Sequence, residues 1–135
     1  MRAIILNPTG LGVRNDGQGN GNFGSPRGKR RHDGVDFICI PGERVRWPIS
    51  GLFTRMSRPY ADDPHYTGAY VIGQRVSIKL WYFEPYPELV GQQVQQGDFA
   101  GIAQDVSMKY NDPEQPPMTP HVHLQVVVID PTLLM

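Results

Sequence analysis

Glycine and proline punctuate this chain so densely that long helices have little room. There are 15 glycines and 13 prolines among 135 residues, about a fifth of the chain, where average usage is roughly 12%. In a helix interior glycine costs about 1 and proline about 3 kcal/mol relative to alanine. The apolar residues fall instead into short runs that alternate or are rich in β-branched and aromatic side chains, which is strand patterning. Residues 35–40 form one such run, closed by Pro41-Gly42. Residues 44–47 alternate and end at Pro48, and residues 52–56 follow Gly51. Residues 69–72 and 75–83 flank Gly73-Gln74 as a hairpin, with Val76, Ile78 and Leu80 on one face. Residues 99–103 and 121–129 are further strands, the last ended by Pro131, and residues 2–6 read as a short one. Residues 7–31 hold seven glycines and have loop composition. Gly21-Asn22-Phe23-Gly24 and Ser25-Pro26-Arg27-Gly28 read as successive turns that lead straight to His32, so the segment is either a plain linker or the lining of a cleft. Residues 105–120 carry four prolines and leave room for one helical turn at most.

About seven to nine short strands with almost no helical period predict an all-β, antiparallel sheet or sandwich. The expected organisation is a single domain over 1–135. Residues 1–20 form its N-terminal strand and Gly-rich loop, and residues 21–129 its core.

Charge and cysteine content narrow the function. Thirteen basic side chains balance 13 acidic ones, so the basic surplus of a nucleic-acid binder is missing. The single cysteine, Cys39, excludes an internal disulfide framework and multi-cysteine zinc sites. It reads as a small buried hydrophobe. The longest apolar runs, residues 3–6 and 126–129, fall short of the about 20 residues of a spanning helix and the about 7–15 of a signal h-region. A soluble chain without membrane insertion or a Sec signal is expected.

The chain has four histidines, and two of them stand in His121-Val122-His123. On a strand, positions i and i+2 share a face. His121, His123 and Gln125 therefore face one way, and Val122, Leu124, Val126 and Val128 face the core. His32-Asp33-Gly34-Val35-Asp36 adds an imidazole on a loop end, a turn, and a carboxylate on the next strand. An aspartate in an apolar strand is costly unless paired or metal-bound. Two histidines and a carboxylate are a common zinc set with one open position, and a third histidine beside it serves as general base or stabilises an oxyanion. A metal-free β domain is the plainer alternative. His65, in a polar loop, reads as exposed, with a substrate contact as the alternative.

The order Gly21-Asn22-Phe23-Gly24, Arg27, His32-X-X-X-Asp36, Pro41-Gly42-Glu43-X-Val45-X-X-Pro48-X-X-Gly51 and Pro120-His121-Val122-His123 resembles the lysostaphin/LytM-type zinc endopeptidase domain over residues 20–129. His32-Asp33-Gly34-Val35-Asp36, Arg58-Pro59-Tyr60 and residues 79–85 are most similar to leukocyte cell-derived chemotaxin-type domains. The resemblance implies that His32, Asp36 and His123 bind Zn2+ beneath a groove made by long loops. It implies that a zinc-bound water attacks the scissile carbonyl and that His121 takes its proton. The substrate so implied is a peptide of bacterial peptidoglycan, in stems or cross-bridges. Active members carry a further histidine where this chain has Tyr82, a replacement similar to that in chemotaxin-type domains. A tyrosine hydroxyl can serve an oxyanion instead, which makes Tyr82 a second candidate catalytic residue; the plainer alternative is a strand tyrosine packing a cleft wall. The alternative is a zinc-stabilised binding or structural module without turnover. With no Sec signal, a bacteriophage particle, a lysis cassette or a non-Sec route is the expected way to the cell wall.

Overall fold

The computed structural model describes residues 4–27 and 30–129. Thirteen strands occur among the described residues, and the only helical segments there are two 3-10 turns, Pro87–Leu89 and Val106–Tyr110. The Gly-rich N-terminal region forms two-residue ladders. β1 (Asn15–Asp16) pairs with β2 (Gly19–Asn20), and β3 (Pro26–Arg27) with β4 (Arg30–Arg31). Then come β5 (Val35–Ile38), β6 (Arg44–Arg46), β7 (Gly51–Ser57), β8 (Gly68–Ile72), β9 (Val76–Trp81), β10 (Phe83–Pro85), β11 (Gln93–Val94), β12 (Phe99–Ala103) and β13 (His121–Ile129). An antiparallel six-stranded sheet runs β11-β7-β8-β9-β13-β5, and a three-stranded sheet runs β10-β12-β6. The fold is all-β, as the sequence predicts.

Residues from both sheets share one core of buried side chains. Val45, Trp47, Phe53, Val71, Ile78, Leu80, Phe83 and Val122 are all at or near zero exposure. The Trp47 ring lies 5.1 Å from that of Phe53 and meets that of Phe83 edge-on at 6.1 Å. Val76, Ile78 and Leu80 are buried on one face of β9, as their alternation predicts. Cys39 is buried, and burial pushes its thiol up to about 12. His65 is exposed.

Four local expectations change. Residues 4–6 form no strand, although Leu6 N–H bonds the Pro48 carbonyl at 2.8 Å; residues 2 and 3 of the expected strand lie outside the described residues. Pro26–Arg27 pairs as a ladder rather than turning, and Gly28 lies outside the described residues. The expected strand 75–83 breaks at Tyr82, which takes a positive φ of 75° and leaves β9 and β10 in different sheets. Val126 is 42% exposed rather than in the core. β5 accompanies β13 only to Leu124, and a register shift between Val126 and Val128 then breaks the alternation. The Val128 side chain and Pro131 lie outside what is described. No helix among the described residues is long and apolar enough to cross a membrane.

Candidate metal centre

Register builds the centre of the site. In the six-stranded sheet His123 stands directly opposite Asp36 of β5 on one side and Trp81 of β9 on the other. Directly opposed residues share a face with Cβ atoms about 4.5–5.5 Å apart, so Asp36 and His123 must meet. The Trp81 ring stacks on His123 at 5.2 Å and 28°. His32 is brought in by the loop before β5. Its backbone N–H bonds the Ser25 carbonyl at 2.8 Å, and its carbonyl accepts from Gly24 N–H at 2.9 Å. The result is a tight triangle. His123 Nδ1 lies 2.9 Å from Asp36 Oδ1, His32 Nε2 lies 3.1 Å from His123 Nδ1, and His32 Nε2 lies 3.2 Å from Asp36 Oδ1.

The protons can be assigned from the partners. His32 Nδ1 is 3.1 Å from the Asn22 carbonyl, which only accepts, so Nδ1 carries the hydrogen and Nε2 presents a lone pair. His123 Nε2 is buried without a hydrogen-bond partner, and the Asp33 Oδ1 atom lies 3.4 Å away. A proton on Nε2 would face that carboxylate and leave Nδ1 as a third lone pair beside those of His32 and Asp36. In that tautomer three lone pairs converge, as they would around a cation; in the other, His123 Nδ1–H donates to Asp36 Oδ1 at 2.9 Å. Two donors of one tetrahedral zinc, at about 2.0–2.1 Å from the ion, stand about 3.4 Å apart, and the observed edges are close to that. A second grouping, His32, Asp33 and His123, brings its donor atoms within 4.8 Å of one another. Asp33 is 55% exposed and sits on the outer nitrogen of His123, so the tighter, buried triangle with Asp36 is the better cradle.

His121 stands beside it. Its Nδ1 donates to the Thr119 carbonyl at 2.8 Å, which leaves Nε2 free and 3.7 Å from Asp36 Oδ2. Burial lowers its imidazole below the ordinary 6.5. The Tyr82 ring meets the His121 ring edge-on at 5.6 Å. Tyr82 is a bulky side chain at positive φ, a conformation that costs about 1–3 kcal/mol and persists where the surroundings impose it. The Thr67 carbonyl imposes it by accepting from Tyr82 N–H at 2.9 Å, while Gln104 N–H donates to the Tyr82 carbonyl at 2.9 Å. Burial pushes the Tyr82 phenol up to about 12. Its hydroxyl lies 3.1 Å from that of Tyr60, which lies 2.6 Å from that of Tyr110.

All five residues singled out from the sequence, His32, Asp36, Tyr82, His121 and His123, line one cleft of about 490 Å3. The sequence reading missed Arg14, Tyr60 and Tyr110, which line it too. Arg14 and Asp16 alternate at i and i+2 inside what reads as a glycine loop, and only that spacing hints at a shared face. Tyr60 lies in the Arg58-Pro59-Tyr60 stretch of the resemblance. Asp36 is paired as well as ligand-like, because its Oδ2 accepts from Arg14 at 3.1 Å and from Arg27 at 3.4 Å.

Two expected outcomes follow from this packing. Gly34 is pressed against the site. A Cβ there would run into the Leu124 carbonyl oxygen and stand 2.7 Å and 2.8 Å from His123 Cε1 and Nε2. Gly34→Ala should therefore displace His123 and lower the melting temperature, which a thermal melt checks. The second concerns acid. Burial works against ionisation of Asp16, but Arg14 and the N–H groups of Thr119 and Gln18 hold its carboxyl down to about 2, below the ordinary 3.8. A depressed folded pKa gives stability that is present above the unfolded value and is lost as pH falls toward the folded one. Between about pH 4 and about 2 the denaturation midpoint of the wild type should fall more steeply than that of Asp16→Asn.

No profile of a known protein family matches the chain. Solved structures define the fold class. The chain superposes on lysostaphin with a TM-score of 0.56 at 19% identity, covering 85% of this chain and 44% of that one. It superposes on a protein of Pseudomonas aeruginosa described as a peptidase M23 with a TM-score of 0.53 at 22% identity, covering 98% and 54%. This is the fold of the lysostaphin-type peptidases, carried by a chain that spans about half the length of those two proteins. By sequence, the chain is similar to leukocyte cell-derived chemotaxin-2. It is 26% identical to the Bos taurus protein over 120 residues, 87% of this chain and 75% of that protein. It is 30% identical to the Mus musculus protein over 71 residues, 52% of this chain and 47% of that protein. The resemblance read from the sequence motifs is borne out on both sides.

Proposed function

We propose that this protein is a zinc-dependent endopeptidase that hydrolyses peptide bonds in the stems or cross-bridges of bacterial peptidoglycan. The convergence of His32 Nε2, Asp36 Oδ1 and His123 Nδ1 within 3.2 Å carries the reading. These three would hold the ion, and the lysostaphin-type fold supports the assignment. Bound there, zinc would polarise the scissile carbonyl and acidify water. His121 Nε2, a free lone pair on a ring oriented by the Thr119 carbonyl, would accept the proton of the attacking water. Tyr82, protonated through the neutral range, would donate its hydroxyl to the developing oxyanion. The cleft above, lined by Tyr60, Tyr110, Pro59, Met118, Arg27 and Arg31, would seat an extended peptide. No basic surplus marks a nucleic-acid face.

A second reading is favoured by the similarity to chemotaxin-2 over most of the chain and by the Tyr82 hydroxyl already bonded to Tyr60. In it the metal stabilises a module that binds wall peptide without turnover. Muropeptide release from purified sacculi by the zinc-loaded protein separates the two. Release that chelation removes supports the peptidase, and retention on sacculi without release supports the module.

A further inference from the structure

The outer oxygen of Asp36 belongs to a buried chain of ion pairs that the proposed chemistry does not use. We propose that Arg14, clamped by Asp16, is a positioning residue that turns Asp36 toward the metal. This rests on the metal reading above. Backbone register puts Arg14 there. Residues 12–14 run along the free edge of β5. Ile38 N–H bonds the Gly12 carbonyl and Arg14 N–H bonds the Asp36 carbonyl, each at 2.8 Å, and Val13 bridges to Phe37. The space is tight. A Cβ on Gly21 would lie 2.7 Å from that of Asp36 and 3.0 Å from that of Arg14.

Arg14 is 3% exposed, and its guanidinium divides its donors. Nε and Nη2 fork onto the two oxygens of Asp16 at 2.9 and 3.3 Å, while Nη1 reaches Asp36 Oδ2 at 3.1 Å. With Oδ2 engaged, only Oδ1 is left for the His32 and His123 side, and the carboxylate cannot rotate without breaking a buried charged hydrogen bond. Asp16 does one thing more. Its Oδ2 accepts from Thr119 N–H at 2.7 Å, and the Thr119 carbonyl accepts from His121 Nδ1–H at 2.8 Å. One ion pair thus ties the metal-side carboxylate to Thr119, the residue whose carbonyl fixes the tautomer of His121.

Charge and geometry predict opposite signs, which makes the role testable. A cation beside a metal's carboxylate ligand withdraws negative charge from it. By charge alone, removing Arg14 would tighten zinc binding. By orientation, removing it loosens zinc, because Asp36 is freed to turn. Lysine keeps the charge but lacks the planar fork.

The test uses the metal-stripped wild type, Arg14→Met, Arg14→Lys and Asp16→Asn. Zn2+ is titrated in competition with a chromophoric chelator, Co2+ absorption spectra are recorded, and circular dichroism and melting report folding. We expect one tight site in the wild type and about 10–100-fold weaker binding in Arg14→Met with an altered Co2+ spectrum. Arg14→Lys should fall between the two, and Asp16→Asn should weaken binding in the same direction. No zinc uptake by the wild type would overturn the metal reading itself. Uptake by the wild type with equal or tighter binding by folded Arg14→Met would overturn the positioning role alone. If Arg14→Met does not fold, unchanged affinity in both Arg14→Lys and Asp16→Asn overturns it.

Discussion

Asp36→Ala is expected to reduce zinc uptake from about one equivalent to near none, and to destabilise the metal-free protein as well. The two effects have separate causes at the two carboxylate oxygens. Oδ1 closes the donor triangle with His32 and His123. Two histidines without a carboxylate leave an ion one ligand short of the usual protein set. Oδ2 is the buried acceptor for Arg14 and sits 3.4 Å from Arg27. Arg14 loses one of two buried carboxylate partners while Asp16 keeps its charge paired, so the cost should stay below the about 3–5 kcal/mol of a buried pair broken outright. Asp36→Asn keeps the shape and part of the hydrogen bonding, so it should lose zinc with a smaller loss of stability. Elemental analysis and denaturant melts of the apo proteins check this. Near-stoichiometric zinc in folded Asp36→Ala would show that Asp36 is not a ligand and would shift attention to Asp33, on the far nitrogen of His123.

The expectation is sharp because the relevant part of the site was legible in the sequence. His-X-His and an aspartate in an apolar run are strand signals, and strand periodicity alone sends those side chains to a face. Which strands become neighbours is not a local property, so the opposition of Asp36 and His123 appears only in the register. The same limit hid Arg14. Its burial depends on residues 12–14 pairing with β5, and nothing in a Gly/Asn-rich segment announces that. Tyr82 was legible as chemistry and not as geometry. An unbroken run through 75–83 predicts a continuous strand, whereas the Thr67 carbonyl captures two successive N–H groups and turns the chain at Tyr82. Val126 failed for a related reason. Beyond Leu124 the neighbouring strand β5 no longer flanks β13, and Val126 is 42% exposed. The glycine and proline excess has a similar split reading. It rules out long helices from composition alone, but Gly21 and Gly34 turn out to be places where backbone must approach Asp36 and His123.

His121→Ala is the variant with the largest expected effect on turnover, about 10²–10⁴-fold in muropeptide release, with zinc affinity changed only a few-fold. The split follows from where His121 points. Its Nδ1 is committed to the Thr119 carbonyl. Its Nε2 lies 3.7 Å from Asp36 Oδ2, the carboxylate oxygen that is not a corner of the triangle with His32 and His123. It is therefore beside the ion's cradle without being a corner of it. Truncation removes a proton acceptor and leaves the three donors and the Arg14 clamp in place. The Tyr82 ring, which meets His121 edge-on at 5.6 Å, would lose one neighbour but keep its hydrogen bond to Tyr60. Parallel zinc titration and sacculus digestion of the two proteins give the answer. Equal release by wild type and His121→Ala would remove His121 from the chemistry. A wild type that holds zinc, binds sacculi and releases nothing would assign the cleft to recognition, with His121 and Tyr82 as walls of a peptide groove. Zinc lost along with activity in His121→Ala would instead make His121 a ligand, and the triangle would have to be redrawn around it.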